Sequence, residues 1–111
     1  MITEITIKYL TEKQSAPVYA EVPEKPPARF IVVDKTGERQ ENRIKTATVA
    51  IQAYATSKLD AARLNEEIKT VMDGINILPE IGGVHIETDY YFPNTATKKY
   101  RYQAVYQITY Y

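Results

Sequence analysis

The alternation of apolar and polar residues is clearest in residues 100–111. Even-numbered positions there carry aromatic or apolar side chains, and most odd-numbered positions are polar. Side chains of a strand point alternately to opposite faces, so this pattern predicts a strand with one apolar face. We expect that strand to be paired in a sheet, because its backbone groups need partners. Five of its residues are tyrosines, whose rings suit packing and contact.

Residues 30–35 and 43–55 predict two further strands, joined by a polar hairpin loop at 36–42. The odd-numbered side chains of the longer strand are the better core candidates. Pro79 and Gly82-Gly83 predict a turn that precedes another strand at 84–92. One face of that strand is expected to carry Val84, Ile86, Thr88, Tyr90 and Phe92, and the other His85, Glu87, Asp89 and Tyr91. Residues 93–99 predict a second hairpin loop, before the final strand.

The clearest helix starts at Ser57, which is a candidate N-cap. Asp60, three residues later, resembles the acidic half of a capping box. Apolar residues then recur at steps of three and four, and Gly74 is the expected C-terminal stop. These predicted core positions of the helix are Ala61, Leu64, Ile68, Val71, Met72 and Ile75.

Residues 2–14 fit a short amphipathic helix better than a strand, although Ile5, Ile7 and Tyr9 also alternate. Thr3 is the candidate N-cap of that helix. Residues 16–29 contain four prolines and predict an extended connector without regular structure. Its apolar residues, Val18, Tyr19 and Val22, are expected to hold it against the core.

Together these elements predict a single α+β domain spanning residues 1–111. The expected architecture is an antiparallel four-stranded sheet, made of two β-hairpins, with two helices packed on one face. The element order is helix, hairpin, helix, hairpin. We expect the Tyr-bearing face of the sheet to be open to water or to a neighbour, although the pattern does not decide which strand face meets the helices.

Composition narrows the classes of function. Fourteen basic and fourteen acidic residues cancel, so no global field draws the chain to nucleic acid or to an anionic membrane. Cysteine is absent, which excludes disulfides and thiolate chemistry and fits a reducing compartment. We expect no secretory signal, and no apolar run approaches the roughly 18–20 residues of a membrane span.

Candidates for catalysis are few. His85, Glu87 and Asp89 alternate along one predicted strand and resemble a metal site, but a solvated strand face is the favoured interpretation. Of the two serines, Ser15 lies in the connector and Ser57 serves as a cap. Glycine-rich phosphate loops are absent too. We therefore expect no enzyme activity, no metal and no cofactor.

Cations and aromatic rings are mixed at residues 98–102, as in proteins that bind single-stranded nucleic acid. Arg39, Arg43 and Lys45 would extend such a basic rim. Glu38 and Glu41 lie beside it and oppose it, and tyrosines at alternate positions also follow from β-propensity alone. Nucleic-acid binding is therefore an alternative that we do not favour.

Five segments of the chain resemble a known family. They are residues 17–27, 29–37, 47–55, 61–66 and 98–110. This combination is similar to the small tail-terminator, or tail-completion, proteins of long-tailed bacteriophages and prophages. The resemblance covers nearly the whole chain and consists of hydrophobic patterns and small turn motifs. Neighbouring head–tail joining proteins have a similar size.

The resemblance implies a structural virion protein that assembles as a ring, typically a hexamer. The ring would cap the tail tube at the head–tail junction, stop further tube subunits from adding and present a docking surface to the head connector. Its partners would be copies of itself, the tail-tube protein and the connector proteins, assembled in the bacterial cytoplasm. The family supplies no catalytic or binding residue to transfer.

Candidate subunit contacts come from the residues themselves. The two hairpin loops supply one basic patch, formed by Arg39, Arg43, Lys98 and Lys99. Glu66 and Glu67 on the second helix are the proposed acidic complement. The terminal strand adds Arg101 and, where helices leave them uncovered, the rings of Tyr100, Tyr102 and Tyr106. The alternatives are another neck protein, a single-strand nucleic-acid-binding module and an enzyme built around His85.

Overall fold

The computed structural model describes residues 1–93 and 99–111. Helices and sheet confirm the α+β class, with two α-helices as predicted. The sheet differs from the prediction because it has five strands and is mixed. In chain order the elements are α1 (Ile2–Lys13), β1 (Val18–Tyr19), β2 (Phe30–Glu41), β3 (Ile44–Ala55), α2 (Lys58–Met72), a 3₁₀ helix (Ile75–Ile77), β4 (Ile81–Tyr91) and β5 (Tyr100–Tyr110).

The strands lie in the order β1-β2-β3-β5-β4. β1 pairs with β2 in parallel, and the other neighbours are antiparallel. The prediction that residues 16–29 lack regular structure is therefore wrong at Val18 and Tyr19, which pair with Ile31 and Val32. Two residues free of proline suffice for this pairing, and the Ile31 amide also donates to the Pro17 carbonyl at 2.9 Å.

The α2 helix begins as predicted. The Ser57 hydroxyl accepts a hydrogen bond from the Asp60 amide at 3.2 Å, which caps the helix. The helix ends at Met72 and Gly74 lies just beyond its C-cap, as predicted for the stop, with a negative φ of −95°. Glycine suits this position because it has no side chain: a Cβ atom there would lie 2.9 Å from the Tyr9 hydroxyl oxygen.

The N-terminal segment forms the helix α1, in agreement with the preference for a helix over a strand. Its N-terminus has no side-chain cap, and Thr3 cannot serve as one because the helix already begins at Ile2. Tyr9 joins the two helices, since its hydroxyl donates to the Val71 carbonyl at 2.7 Å. This bond explains why Gly74 must be small, because the same hydroxyl occupies the space beside it.

The predicted loop at 36–42 is wrong. Residues 36–41 continue β2 and pair with the start of β3, so the turn consists of Asn42 and Arg43 alone. Polar side chains do not prevent this pairing because the ladder is made of backbone hydrogen bonds. Thr36 is an extra residue opposite β3, where the register shifts between Lys35 and Gly37. The second predicted loop, 93–99, lies largely outside the described residues.

Two bulges shape β4. The predicted turn at Gly82-Gly83 is wrong, because both residues lie in the strand and Gly82 forms the first bulge. The second bulge is Glu87, since Ile86 pairs with Tyr106 whereas Thr88 pairs with Val105. A bulge adds one residue to one strand and so reverses the alternation of faces beyond it. Bulges of this kind also disfavour pairing along an exposed edge strand.

Both helices cover one face of the sheet. Odd-numbered residues of β3 are buried there, as predicted, together with even-numbered residues of β5. The expectation that the Tyr-bearing face is open is therefore wrong, because Tyr106 and Tyr110 are buried beneath the helices. In the described part of the chain, no helix has the length and apolar character of a membrane span.

Candidate functional site

The β2–β3 hairpin ends in an exposed basic tip, which we define as Arg39 and Arg43 with the neighbouring Ile44. Residues 41–44 extend past Tyr110, the last residue of β5, which pairs with Lys45. Asn42 and Arg43 have φ angles of 50° and 68°, the pattern of a type I′ turn. Asparagine tolerates this left-handed region, but arginine is uncommon there and glycine is preferred.

Acidic side chains lie beside Arg39 of the basic tip: Glu41 lines one recess with it, and Glu38 and Glu87 line another. Neither Arg39 nor Arg43 forms an ion pair with any described residue. Both side chains are exposed, and the neighbouring apolar Ile44 is 42% exposed. A strained turn that presents exposed guanidinium groups is better suited to contact than to stability.

A polar cluster lies between α2 and β4. The Lys69 ammonium group donates to Asp89 at 2.6 Å and contacts Glu66 at 2.7 Å. The Asn65 amide group donates to the other carboxylate oxygen of Asp89 at 2.6 Å. The Glu87 bulge makes these contacts possible, because it turns Asp89 towards the helices.

Beside this cluster is an open cleft of about 390 Å³ between the end of α2 and the bulged part of β4. We call it the acidic cleft because Asp73, Glu87 and Asp89 line it. Lys69 lies at the same place and pairs with Asp89. Tyr106 lines the cleft from the sheet side and is only 2% exposed.

Two buried polar atoms near the acidic cleft have no hydrogen-bond partner among the described residues. They are the Tyr106 hydroxyl and the Asn65 side-chain carbonyl oxygen. Burial raises the pKa of Tyr106, and the negative charges of Asp89, Asp73 and Glu66 raise it further. Buried polar groups are normally paired, so the cleft combines unmet hydrogen-bonding capacity with negative potential.

The predicted acidic partner, Glu66 and Glu67, is not a free patch. Glu67 forms an ion pair with Arg29 at 2.7 Å, and Glu66 pairs with Lys69. From the sequence, Asp89 is a candidate metal ligand, and its contacts with two side chains of α2 are not predicted. The alternating pattern placed it beside His85, and a one-residue bulge leaves no mark in composition.

The three tyrosines predicted as contacts differ in how far they are exposed. Tyr106 is buried, so it does not meet the condition that a contact ring is left uncovered by the helices. Tyr102 is partly buried and packs against Tyr91, with ring centroids 5.1 Å apart. Tyr100 is 38% exposed and remains available at the surface.

The basic residues of the terminal strand are engaged within the fold. Arg101 donates to the Phe92 carbonyl at 2.7 Å and to the Tyr54 hydroxyl at 2.9 Å. Its guanidinium lies 4.1 Å from the centre of the Phe92 ring. Lys99 lies 5.8 Å from the centre of the Phe30 ring, and Lys98 is outside the described residues.

The aromatic rings on this open face are also engaged. Phe30 and Tyr54 stack on each other with centroids 4.5 Å apart and are almost fully buried. Beyond them, Tyr54 donates to Gln52 at 3.2 Å, and Gln52 donates to Gln103 at 2.8 Å. The Gln103 amide group in turn donates to the Tyr90 hydroxyl. These contacts hold the open face together and leave the stacked pair unable to receive a nucleic-acid base.

The candidate metal residues do not share one face. His85 precedes the Glu87 bulge and pairs with Gln107 on the open face, whereas Asp89 faces α2. Grouping of three or more potential metal ligands is absent from residues 1–93 and 99–111. The expectation of one aligned set at His85, Glu87 and Asp89 is therefore wrong.

No protein-family model matches this sequence, and a search of characterised proteins finds no match. The geometry of the basic tip and the acidic cleft is therefore the main structural guide to function.

Proposed function

We propose that this protein is a ring-forming tail-terminator subunit of a long-tailed bacteriophage or prophage. Its resemblance to that family extends over nearly the whole chain, from residue 17 to residue 110. The ring, typically a hexamer, caps the tail tube at its head-proximal end and blocks the addition of tube subunits. It then presents a docking surface to the head connector.

One structural observation supports this proposal above the others: the molecule carries two unlike charged surfaces. The basic tip lies at the end of the β2–β3 hairpin, and the acidic cleft lies beside α2. A closed ring requires a heterologous interface, in which one patch meets a different patch on the next copy. A stable interface of this kind buries about 800 Å² on each partner.

The engaged residues of the open face also favour a structural role over nucleic-acid binding. Arg101 is held by Phe92 and Tyr54. Phe30 stacks on Tyr54, and the Lys99 ammonium group lies 5.8 Å from the centre of the Phe30 ring. A single-strand binder needs exposed rings and free cations along one groove. The competing proposal predicts salt-dependent binding of oligonucleotides that Arg101→Ala weakens.

Two measurements test the proposed function. Light scattering is expected to give a mass of several subunits, at high protein concentration or when purified tail-tube protein is present. Electron microscopy is expected to show the protein at one end of each tube, with tube growth arrested. A monomer at every concentration that binds no tube end would overturn the proposal, and binding to the head connector alone would favour another neck protein.

A further inference from the structure

We propose that the acidic cleft receives an arginine side chain from the basic tip of a second copy of this chain. The inference rests on the proposed ring and names its subunit interface. It follows from three features of the described residues: the charge of the cleft, the unpartnered polar atoms in and beside it, and the arginines of the tip, which form no ion pair.

The cleft has an excess of negative charge. Asp73, Glu87 and Asp89 line it, with Glu66 nearby, and Lys69 is the cation that pairs with two of these four. Asp73 and Glu87 form no ion pair with a described residue. A second cation placed here would meet carboxylates that the fold leaves without a partner.

The cleft also offers oxygen atoms that favour a donor with several N–H groups. Tyr106 lines the cleft, and its buried hydroxyl has no partner among the described residues. The Asn65 side-chain oxygen does not line the cleft but is likewise unpartnered, on the residue that donates to Asp89. A guanidinium group carries five N–H donors in a planar fork, so it can bond a carboxylate and a neighbouring oxygen together. A metal ion fits less well, because the described ligands form no metal-binding group.

The basic tip is the matching donor. Among the five arginines, Arg29 and Arg63 form ion pairs, and Arg101 is held on the open face. Arg39 and Arg43 form no ion pair with a described residue. Arg43 occupies a left-handed turn position that favours glycine, so the turn gains nothing locally from its side chain.

Arg39 already lines a recess of the open face together with Glu87 of its own chain. We therefore assign the contact with a second copy to Arg43, which lies at the turn of the hairpin. Each copy would offer its tip to one neighbour and its cleft to the other, which is the head-to-tail arrangement that closes into a ring. Contacts between fully charged groups of this kind also fix the register of a subunit interface.

Charge reversal tests the pairing directly. One variant carries Arg39→Glu and Arg43→Glu, and the other carries Asp73→Lys and Glu87→Lys. Each alone is expected to associate at least about tenfold more weakly than the unmodified chain in sedimentation velocity. Mixed in equal amounts they are expected to associate again, because each reversed tip then meets a reversed cleft.

A milder variant separates contact from folding. Arg43→Gly is expected to weaken association while leaving the thermal unfolding temperature unchanged or higher, since glycine favours the left-handed turn. A purely structural role for Arg43 predicts the opposite outcome, with lower stability and unchanged association. Circular dichroism confirms that each charge-reversed variant is folded before its association is measured.

Cross-linking locates the contact. The chain has no cysteine, so an Arg43→Cys chain mixed with an Asp73→Cys chain is expected to form one disulfide-linked dimer under mild oxidation. The matched control replaces Arg43→Cys by Lys25→Cys, an exposed position in the connector, and is expected to give far less dimer.

The outcomes distinguish this inference from the proposed function. If the unmodified chain associates but charge reversal has no effect, or mixing fails to restore association, the pairing of tip and cleft is wrong and the ring proposal stands. If the unmodified chain never associates, even with tail-tube protein, both are overturned. Restored association together with the specific cross-link supports both.

Discussion

On the helix-covered face of the sheet, Ile51, Ala104 and Ile108 are completely buried in one apolar cluster. On the open face, the neighbouring side chains Gln52 and Gln103 are joined by a cross-strand hydrogen bond. The same two strands, β3 and β5, supply both faces. Burial of apolar area contributes about 1.5–3 kcal/mol for each large side chain, whereas a hydrogen bond contributes about 0.5–1.5 kcal/mol net. Stability therefore depends mainly on the covered face, to which the open face adds the smaller buried cluster of Phe30, Val32 and Tyr54.

The largest expected effect comes from breaking the covered side. Leu64→Ala is expected to lower the free energy of unfolding by about 2–5 kcal/mol, because Leu64 is fully buried and its loss leaves a cavity. Leu59 lies on the same helix and is 60% exposed. The matched variant Leu59→Ala is expected to change stability by less than about 0.5 kcal/mol. Urea unfolding measures both, and equal losses would contradict the assignment of the α2 core face.

A smaller effect is expected on the open face. Gln103→Ala removes the bonds to Gln52 and Tyr90 and is expected to cost about 0.5–1.5 kcal/mol. The same unfolding experiment measures this loss. A cost as large as that of Leu64→Ala would show that the side-chain network of the open face matters as much as the apolar core.

The last effect depends on alkaline pH and comes from Tyr110, a tyrosine at the end of the covered face. Burial raises the pKa of Tyr110 to about 12, with further contributions from its hydrogen bond to Glu38 and from the Glu38 charge. The ordinary value is 10.0. Since the folded state favours the protonated form, this stabilisation is complete below pH 10 and is lost as the pH rises towards about 12.

Unfolding followed by circular dichroism, together with tyrosinate absorbance, measures that alkaline loss. Tyr110→Phe is expected to reduce the loss of stability between pH 10 and about 12. Tyr106 contributes in the same direction, because burial raises its pKa as well. An alkaline transition that Tyr110→Phe leaves unchanged would refute the role assigned to Tyr110.

Much of the fold could be predicted because it depends on local patterns. The spacing of Leu64 and Ile68 and the cap at Ser57 predict α2, and the alternation of residues 47–53 predicts the buried face of β3. The parallel pairing of β1 could not be predicted, since it involves only two residues among prolines. The extension of β2 through residues 36–41 was hidden because backbone pairing does not require apolar side chains.

The candidate site was predictable only where it depends on local sequence patterns. Arg39 and Arg43 could be located because charged residues flanking a turn are exposed in almost any register. The acidic cleft could not, since its position depends on where β4 bulges and on which face of β5 the helices cover. Both are properties of the assembled sheet, and Asp89 and Tyr106 are the residues whose placement they decide.

At the Glu87 bulge, the number of residues in β4 decides which of the following side chains face the helices. One extra residue lets Ile86 and Asp89, three positions apart, point to the same side of β4. Deleting a single residue here would exchange the inward and outward side chains of the following segment, a change that no substitution reproduces. One extra residue in β4 thus brings the apolar Ile86 and the charged Asp89 together at the acidic cleft. An insertion or deletion at this position therefore changes the surface chemistry more abruptly than a substitution does.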